Sequence, residues 1–258
     1  GSPPGSFNGF KLDITRLIQF AKPNPRRIWV YNDFGERPVR HTYGKMFFPA
    51  TNVGGIYGSV ELEALPPINI SRCLITPRLK SNTVEFDLKI TNKTQKEQKL
   101  AISVVLEGLL SGKKGKIVKF NAGNVELTKL QDSTQFSLKL DKPELWTPAQ
   151  PYLYNVYIIL RNKQSGKVVS GYKDRFGFRE FVVKGNKFFL NGKRIRLYCG
   201  NIRTAGGWKG YEPDNQKSRQ FMRRQIASGA NTIRYHIAGA DSHRLLAMAD
   251  EEGLLIIS

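Results

Sequence analysis

Hydrophobic and polar residues alternate through the middle of the chain, from about residue 67 to residue 182. TVEFDLKIT (83–91) places its apolar residues on one face and its charged residues on the other. This period of two predicts a strand with one buried and one solvated face. Similar stretches follow between Gly-, Lys- and Asn-rich turns, at 99–108, 115–122, 134–141, 152–162 and 168–178. Their spacing predicts an antiparallel immunoglobulin-like β-sandwich over residues 67–182.

Two segments do not follow the regular alternation of the sandwich strands: a proline-containing segment within it and the region before residue 67. LWTPAQPYLY (145–154) contains two prolines, so we expect it to cross between the two sheets. Before residue 67, the plausible strands are FKLDITRLI (10–18), RRIWVYN (26–32) and GGIYGSVELEAL (54–65). Three or four strands are few for a free-standing sheet domain, so residues 1–66 are expected to be the final part of a larger one.

After residue 182 the pattern changes to strands that alternate with helices. A hairpin with an Asn-Gly turn lies within 188–201 and leads into the strand IRLYCG (195–200). A helix is predicted within 214–230, with an inner face of Phe221, Met222 and Ile226 and a stop at Gly229. The strand NTIRYHI (231–237), a helix over 242–253 and the strand LLII follow. Short turns between such elements predict parallel βα units, and parallel strands need cover on both faces. We therefore expect residues 183–258 to begin a longer array.

The formal net charge is +20 in 258 residues. Residues 67–180 carry 20 basic and 10 acidic side chains, so half of the excess lies in the predicted sandwich. The charge is spread out, with only short clusters such as KKGK (113–116). Either the surface is simply well solvated, or it attracts a polyanion: nucleic acid, an anionic membrane or an acidic polysaccharide.

Several kinds of site are disfavoured by composition. The two cysteines, Cys73 and Cys199, have no metal-type spacing, and they could form a disulfide or remain buried thiols. Three histidines are too few for a histidine-rich metal site, so neither metal nor cofactor is expected. No apolar run approaches the length of a membrane span, and no nucleic-acid motif is present. GSPPGSFNGF at the start lacks the features of a signal peptide. Its Gly-Ser resembles an expression remnant, which leaves room for a natural export signal that was removed, and a periplasmic or secreted location is favoured over a cytoplasmic one.

The segment DRFGFREFVVKGNKFFLNGKRIRLYCGN (174–201) resembles the link between sandwich and barrel in glycoside hydrolase family 2, which includes β-galactosidases, β-glucuronidases and β-mannosidases. FGFR (176–179) and FLNGK (189–193) carry the most specific part of this resemblance. Farther along, GANTIRYHI and LLAMADEEGLLII are similar to the family's second barrel strand and second helix. FKLDITRLI, GGIYGSVELEALPPINI and LWTPAQPYLYNVYIIL are similar to segments of its earlier domains.

The resemblance implies a mainly β chain with a C-terminal α/β part. Residues 1–66 would end a jelly-roll sugar-binding domain, residues 67–182 would be the sandwich, and residues 183–258 would begin a (β/α)8 TIM barrel. Family members are retaining enzymes in which one carboxyl protonates the leaving oxygen and a second attacks the anomeric carbon. Both glutamates lie on the fourth and seventh barrel strands, which are expected beyond this chain. Glu251 and Glu252 are not substitutes, because they end a helix.

Barrel chemistry occurs at the carboxyl ends of strands, which indicates five substrate-contact candidates: Asn201, Arg203, Trp208, Arg234 and His236. Arg234 matches an arginine that the family places beside the nucleophile, although a purely structural ion pair is the alternative. His236 departs from the family's Arg-x-x-His by one residue, and Asn201 fits its Gly-x-Asn only loosely. Trp208 is either a sugar-stacking ring or a buried loop anchor.

Three functions follow from these features. The first is a family 2 β-glycosidase whose carbohydrate substrate is acidic or sulfated, as the basic residues Arg203, Lys209 and Arg234 hint. The second is a non-catalytic carbohydrate-binding or scaffold fragment of such an enzyme. The third is a polyanion binder driven by charge alone, whose affinity would fall steeply with salt. A homo-oligomer is compatible with any of the three.

Overall fold

The computed structural model describes residues 11–19, 21–25, 60–202, 215–235 and 242–257. The helices are a 3-10 turn (Thr15–Leu17), α1 (Asn215–Ala227) and α2 (Ser242–Glu252). The strands are β1 (Ile68–Arg78), β2 (Thr83–Asn92), β3 (Gln98–Leu110), β4 (Lys113–Leu127), β5 (Gln131–Lys139), β6 (Leu153–Asn162), β7 (Val168–Gly177), β8 (Phe181–Lys184), β9 (Lys187–Leu190), β10 (Lys193–Ile195), β11 (Cys199–Ile202), β12 (Thr232–Tyr235) and β13 (Leu255–Ile257). The mainly β composition is as predicted.

The predicted sandwich is present. One sheet has the order β1-β2-β5 and the other β4-β3-β6-β7, and every pairing within them is antiparallel. The alternating apolar residues meet between the sheets and form one large buried cluster. Val84, Leu88 and Ile90 are among those with no exposed surface. The period-two pattern thus assigned the buried faces of these strands correctly.

The strand β1 was missed by the sequence pattern. Its register against β2 shifts between Ile70 and Arg72, and this bulge breaks the alternation that identifies a strand. A second expectation was wrong: in the described part of the predicted strand at 10–18, residues 11–18, a 3-10 turn is present in place of a strand. Asp13 accepts hydrogen bonds from the backbone N–H and the hydroxyl of Thr15, at 3.0 and 2.6 Å, which favours a turn.

The rest of the N-terminal region supports no strand in its described part. Residues 60–65 were also predicted as the end of a strand, but they pair with no other strand among the described residues. The predicted strand at 26–32 and the beginning of the one at 54–65 lie outside the described residues.

The proline-containing segment crosses from one sheet to the other, as expected. It leaves β5 of the first sheet and enters β6 of the second. A turn between Thr147 and Gln150 and a bridge between Trp146 and Pro151 shape it. Trp146 is fully buried, so the crossing carries a large apolar side chain out of the sandwich towards the following elements.

A small antiparallel sheet, β10-β9-β8, follows the sandwich. Asn191 and Gly192 connect β9 to β10 with φ angles of 51° and 77°, the positive pair that an Asn-Gly hairpin turn requires. Asn191 also donates its side-chain amide to the Trp146 carbonyl at 3.0 Å. Its side-chain oxygen accepts the Glu180 N–H at 3.0 Å, so the turn is fastened to the crossing segment.

The last elements form a parallel sheet, β11-β12-β13, as the alternating pattern predicted. The strand β11 begins at Cys199, later than the predicted 195–200. One face of the sheet packs on the two helices through Met222, Ile233, Met248, Ala249 and Leu254. Ile226 is 36% exposed, so its predicted place on the inner face of α1 is wrong.

No helix in the described part of the chain is both long enough and apolar enough to span a membrane.

Candidate functional site

The three parallel strands bring Asn201 and Arg234 side by side. Asn201 of β11 is the register partner of Arg234 of β12, and Arg234 in turn is opposite Ile257 of β13. These positions lie near the carboxyl end of each strand. In open or closed α/β sheets, this edge is where ligands bind.

Arg234 lies on the sheet face away from the helices. Its neighbour Ile233 is fully buried against α1 and α2. Because successive side chains of a strand alternate between faces, Arg234 occupies the other face. Arg234 is exposed there, and Ile257 beside it is 42% exposed. A guanidinium in this position presents donors to a ligand above the strand ends.

The same face is closed at the amino ends of the strands. Thr232, two residues before Arg234, is fully buried, and its register partner Leu255 belongs to a cluster with Trp146, Leu153 and Leu190. The crossing segment and the hairpin thus seal one end of this face. Towards the carboxyl ends this face is open, and Arg234 is exposed there.

The other predicted contacts are only partly placed. For Asn201 the structure gives the backbone position in β11 and nothing about the side chain. Arg203, Trp208 and His236 lie outside the described residues. Their assignment to the site therefore stays a prediction.

Glu251 and Glu252 are the last two residues of α2, and both form ion pairs with arginines. Glu251 forms ion pairs with Arg175 and Arg219, and Glu252 pairs with Arg219 at 3.0 Å and Arg223 at 2.8 Å. Burial alone would raise the pKa of each carboxyl, but hydrogen bonds from these arginines outweigh it and lower the pKa. Ionised and paired carboxylates at a helix end suit a structural role.

Asp250, next to this network, fastens the helix to the sandwich. Its backbone carbonyl accepts the indole N–H of Trp146 at 2.8 Å, and its carboxylate lies 3.5 Å from Arg179. Arg179 also stacks over the Trp146 ring, 4.3 Å from its centroid. Burial raises the pKa of Asp250, and Arg179 and Arg175 oppose that rise. FGFR thus contributes an arginine to the junction.

Sequence patterns missed a buried carboxylate, Glu107, on the outer face of β3. It accepts hydrogen bonds from Asn155 and Tyr157, both at 3.2 Å, and pairs with Lys114 at 3.0 Å. The hydrogen bond from Lys114, then that from Asn155, lowers its pKa. The sequence does contain one signal for it. In the predicted strand KLAISVVLEG (99–108), Glu107 is the only acidic residue, and apart from Lys99 no other residue is charged.

The described residues offer no group of three or more His, Cys, Asp or Glu side chains arranged to hold a metal. Cys73 and Cys199 are free thiols, so the disulfide alternative does not apply. Cys199 is exposed, which corrects the expectation of two buried thiols. Burial, followed by the charges of Asp174 and Asp87, raises the pKa of Cys73 to about 12. Such a thiol is a poor nucleophile.

Comparison with known proteins supports the resemblance seen in the sequence. Residues 68–179, which span β1 to β7, match the family model for glycosyl hydrolases family 2. A Formosa agariphila protein, provisionally named a β-glucuronidase, is 28% identical over 261 residues, which cover 99% of this chain and 30% of that protein. A β-galactosidase of Thermoanaerobacter pseudethanolicus is 27% identical over 267 residues, 99% of this chain and 33% of the enzyme.

A solved structure shows the same likeness in three dimensions. The β-glucuronidase of Bacteroides uniformis is 26% identical and superposes with a TM-score of 0.62 over 84% of this chain and 27% of the enzyme. The chain thus spans about a third or less of the length of these relatives. The resemblance of the chain to glycoside hydrolase family 2 is confirmed, through the family model in the sandwich and through relatives over nearly the whole sequence.

Proposed function

We propose that this chain is the sandwich and the first βα units of a retaining β-glycosidase of family 2. One observation carries the proposal: an exposed arginine lies at the carboxyl ends of a parallel sheet whose other end is sealed by the sandwich junction. The named relatives are β-glucuronidases and β-galactosidases, which supports a β-linked glycoside as the substrate.

The proposed domain boundaries are the ones predicted from the sequence. Residues 67–182 are the sandwich and residues 183–258 start a (β/α)8 barrel, of which β11-α1-β12-α2-β13 supply three strands and two helices. Residues 1–66 belong to a jelly-roll domain. The family resemblance supports these assignments.

In this proposal Arg234 binds a carboxylate of the active site, or the substrate beside it. Its planar fork of donors fits a carboxylate in a bidentate manner, and it is positioned by a strand buried on its other face. Asn201 is a neighbouring donor, and His236, Arg203 and Trp208 complete the predicted contacts. The acid and the nucleophile are glutamates on later strands, about 5–5.5 Å apart as retaining enzymes require.

The first test is an assay of the 258-residue chain itself with aryl β-glucuronides and β-galactosides. We expect no turnover, because both catalytic glutamates are proposed to lie on barrel strands that follow β13. Measurable hydrolysis, after removal of contaminating activity, would show that the carboxylates lie within this chain.

The second test uses the polypeptide that the gene encodes, including any sequence after Ser258. We expect hydrolysis of an aryl β-glycoside, and Arg234→Ala should lower kcat/KM by about a hundredfold or more, as loss of an active-site donor does. Arg234→Lys should recover only part of the activity. Arg224→Ala is the matched control, because Arg224 is an exposed arginine in the last turn of α1. If Arg234→Ala and Arg224→Ala lower kcat/KM equally, Arg234 does not contact the substrate or the catalytic groups.

The alternative function is a non-catalytic carbohydrate-binding module with the same fold. This alternative is supported if the natural polypeptide hydrolyses no aryl β-glycoside but, when immobilised on a column, retains an oligosaccharide.

A further inference from the structure

The outer face of the sheet β4-β3-β6-β7 carries a cross-strand row of four side chains. Lys119 of β4 pairs with Val105 of β3, Val105 pairs with Tyr157 of β6, and Tyr157 pairs with Lys173 of β7. Directly opposed residues share a face, and the intervening residues Val104 and Ile158 are buried between the sheets. We call this row and the one beside it the basic platform.

The second row of the platform has little relief. It consists of Asn121, Ser103, Ile159 and Gly171 in the same strand order. A β-carbon added at Gly171 would have no atom within 4 Å, so the face is open at that point. The small or apolar side chains of the second row make this part of the sheet face flat. The lysines at the two ends of the first row, Lys119 and Lys173, border it.

The lysines at the two ends of the first row are available to an anion. Within the described residues, neither Lys119 nor Lys173 forms an ion pair, and both are exposed. The nearby carboxylate, Glu107, is already held by Lys114. Three strand spacings separate the lysines, or about 14 Å. Two cations at this separation match charges repeated along an extended polymer better than a single small anion.

Tyr157 provides a fixed aromatic surface between them. Its hydroxyl donates to Glu107 at 3.2 Å, which holds the ring in place, and the Lys173 ammonium lies over the ring, 5.7 Å from its centroid. An aromatic face suits the apolar side of a pyranose ring. For a sugar to stack there, the exposed Lys173 side chain has to move off the ring, and its ammonium can then pair with a carboxylate on the same sugar.

The basic platform lies next to the contact between β7 of the sandwich and the helix α2. Arg175, two residues after Lys173 on the same face, donates to the Ala247 carbonyl of α2 at 3.1 Å. The residues at the ends of the two rows, Lys119, Lys173, Asn121 and Gly171, are exposed. A polymer on this face would therefore run alongside the sandwich towards the elements that carry Arg234.

We propose that the basic platform binds a linear polysaccharide of uronic acids, with Tyr157 under a sugar ring and Lys119 and Lys173 on carboxylates. The choice of a polyuronate rests on the proposed function, since glycosidase relatives include β-glucuronidases. The observations favour it over nucleic acid because the centre of the platform offers one aromatic ring and small residues, with cations only at its borders. The platform would hold the polymer near the catalytic region without taking part in bond cleavage.

The test measures retardation of the 258-residue chain in gels that contain polygalacturonate, with dextran, heparin and duplex DNA as comparison polymers. Lys119→Glu with Lys173→Glu should weaken polygalacturonate binding by at least about fivefold, since like charges then face the polymer. The matched control is Lys89→Glu with Lys139→Glu, two exposed lysines on the outer face of the other sheet with an identical change in charge. Tyr157→Ala should lose binding that Tyr157→Phe keeps, and circular dichroism and thermal melting verify that each variant folds.

Three results would overturn the proposal. Equal weakening by the control pair would show that only net charge matters. Tighter binding of DNA or heparin through the same residues would assign the platform to another polyanion, and dextran bound as tightly as polygalacturonate would remove any role for the carboxylates. Since no hydrolysis is measured, failure of the glycosidase proposal would appear only in the activity assays.

Discussion

Gly253 illustrates how one residue serves two structural tasks. It ends α2 with a φ of 85°, a conformation that L side chains rarely adopt. A β-carbon on it would also lie 2.3 Å from the carbonyl oxygen of Pro148 in the crossing segment. The helix can therefore approach the crossing segment this closely only with glycine at this position.

We expect Gly253→Ala to lower the free energy of unfolding by clearly more than Gly185→Ala. Gly185 has a φ of 59° with nothing within 4 Å of an added β-carbon, so its substitution introduces the backbone strain without the collision. Each change at a positive φ should cost more than about 1 kcal/mol, and the difference between the two variants measures the contact with Pro148. Urea denaturation checks this, and equal losses would mean that the junction adapts to the extra atom.

The sequence allowed the first of these tasks to be predicted and not the second. A glycine after an apolar-periodic stretch indicates a helix end from local pattern alone. The approach of Pro148, about a hundred residues earlier in the chain, depends on how the sandwich and α2 pack, and no local pattern encodes it.

Among the elements, α2 has an unusual end. Asp250, Glu251 and Glu252 place three acids where the helix dipole favours cations. Arginines of other elements compensate: Arg219 and Arg223 of α1, and Arg175 of β7. The helix is thus held by charge between its helical neighbour and the sandwich.

Acid should weaken this arrangement. The pKa values of Glu251 and Glu252 are lowered from their ordinary value of 4.5, so the stability they contribute is present above that pH and is lost as pH falls through the folded values. Asp250 acts in the opposite sense, because its raised pKa means that its ionisation on going to higher pH disfavours the folded state. In the described part of the chain, Glu251 and Glu252 together form four ion pairs with arginines, whereas Asp250 forms one at 3.5 Å, so we expect a net loss of stability on acidification.

Guanidinium denaturation at pH 7 and at about pH 3.5 measures this loss. Glu251→Gln with Glu252→Gln should be less stable at pH 7 and show a smaller fall on acidification. Glu126→Gln is the control, because Glu126 pairs with Lys99 on the exposed sandwich surface, where such pairs contribute little. An unchanged pH dependence in the double variant would contradict the role of the network.

Element types were predicted well where a single local rule dominates. The Asn-Gly hairpin, the alternating strands β2, β3 and β6, and both helices follow from turn chemistry and periodicity. The failures have two causes: a bulge in the pairing of β1 with β2 interrupts the alternation, and a local hydrogen bond from Thr15 to Asp13 favours a turn over a strand.

For the whole molecule, the distribution of buried residues is uneven. Among the described residues, twenty buried hydrophobic side chains form the sandwich core, whereas five lie between the parallel sheet and its helices. Regions with few buried contacts open more easily, so amide hydrogen exchange should be slowest in β2, β3 and β6. Exchange in α1, α2 and β13 should be faster, and mass spectrometry of peptides resolves the two groups. Equal protection throughout would show that the junction couples them into one cooperative unit.

The candidate site could be located from the sequence only in part. The position of Arg234 at a strand end and beside Asn201 follows from the βα pattern, because parallel strands align their carboxyl ends. The basic platform could not be predicted, since Lys119, Tyr157 and Lys173 are far apart in sequence. Only the strand order and register bring them into one row.

Trp146 offers an optical signal for the junction. Its ring is fully buried, stacked by Arg179, and hydrogen-bonded to the Asp250 carbonyl. The chain has three tryptophans, and the other two, Trp29 and Trp208, lie outside the described residues. With Trp29 and Trp208 replaced by phenylalanine, the emission maximum of the remaining indole would shift to the red when α2 separates from the sandwich and water reaches the ring. A single fluorophore would then time this separation independently of the unfolding of the sandwich itself.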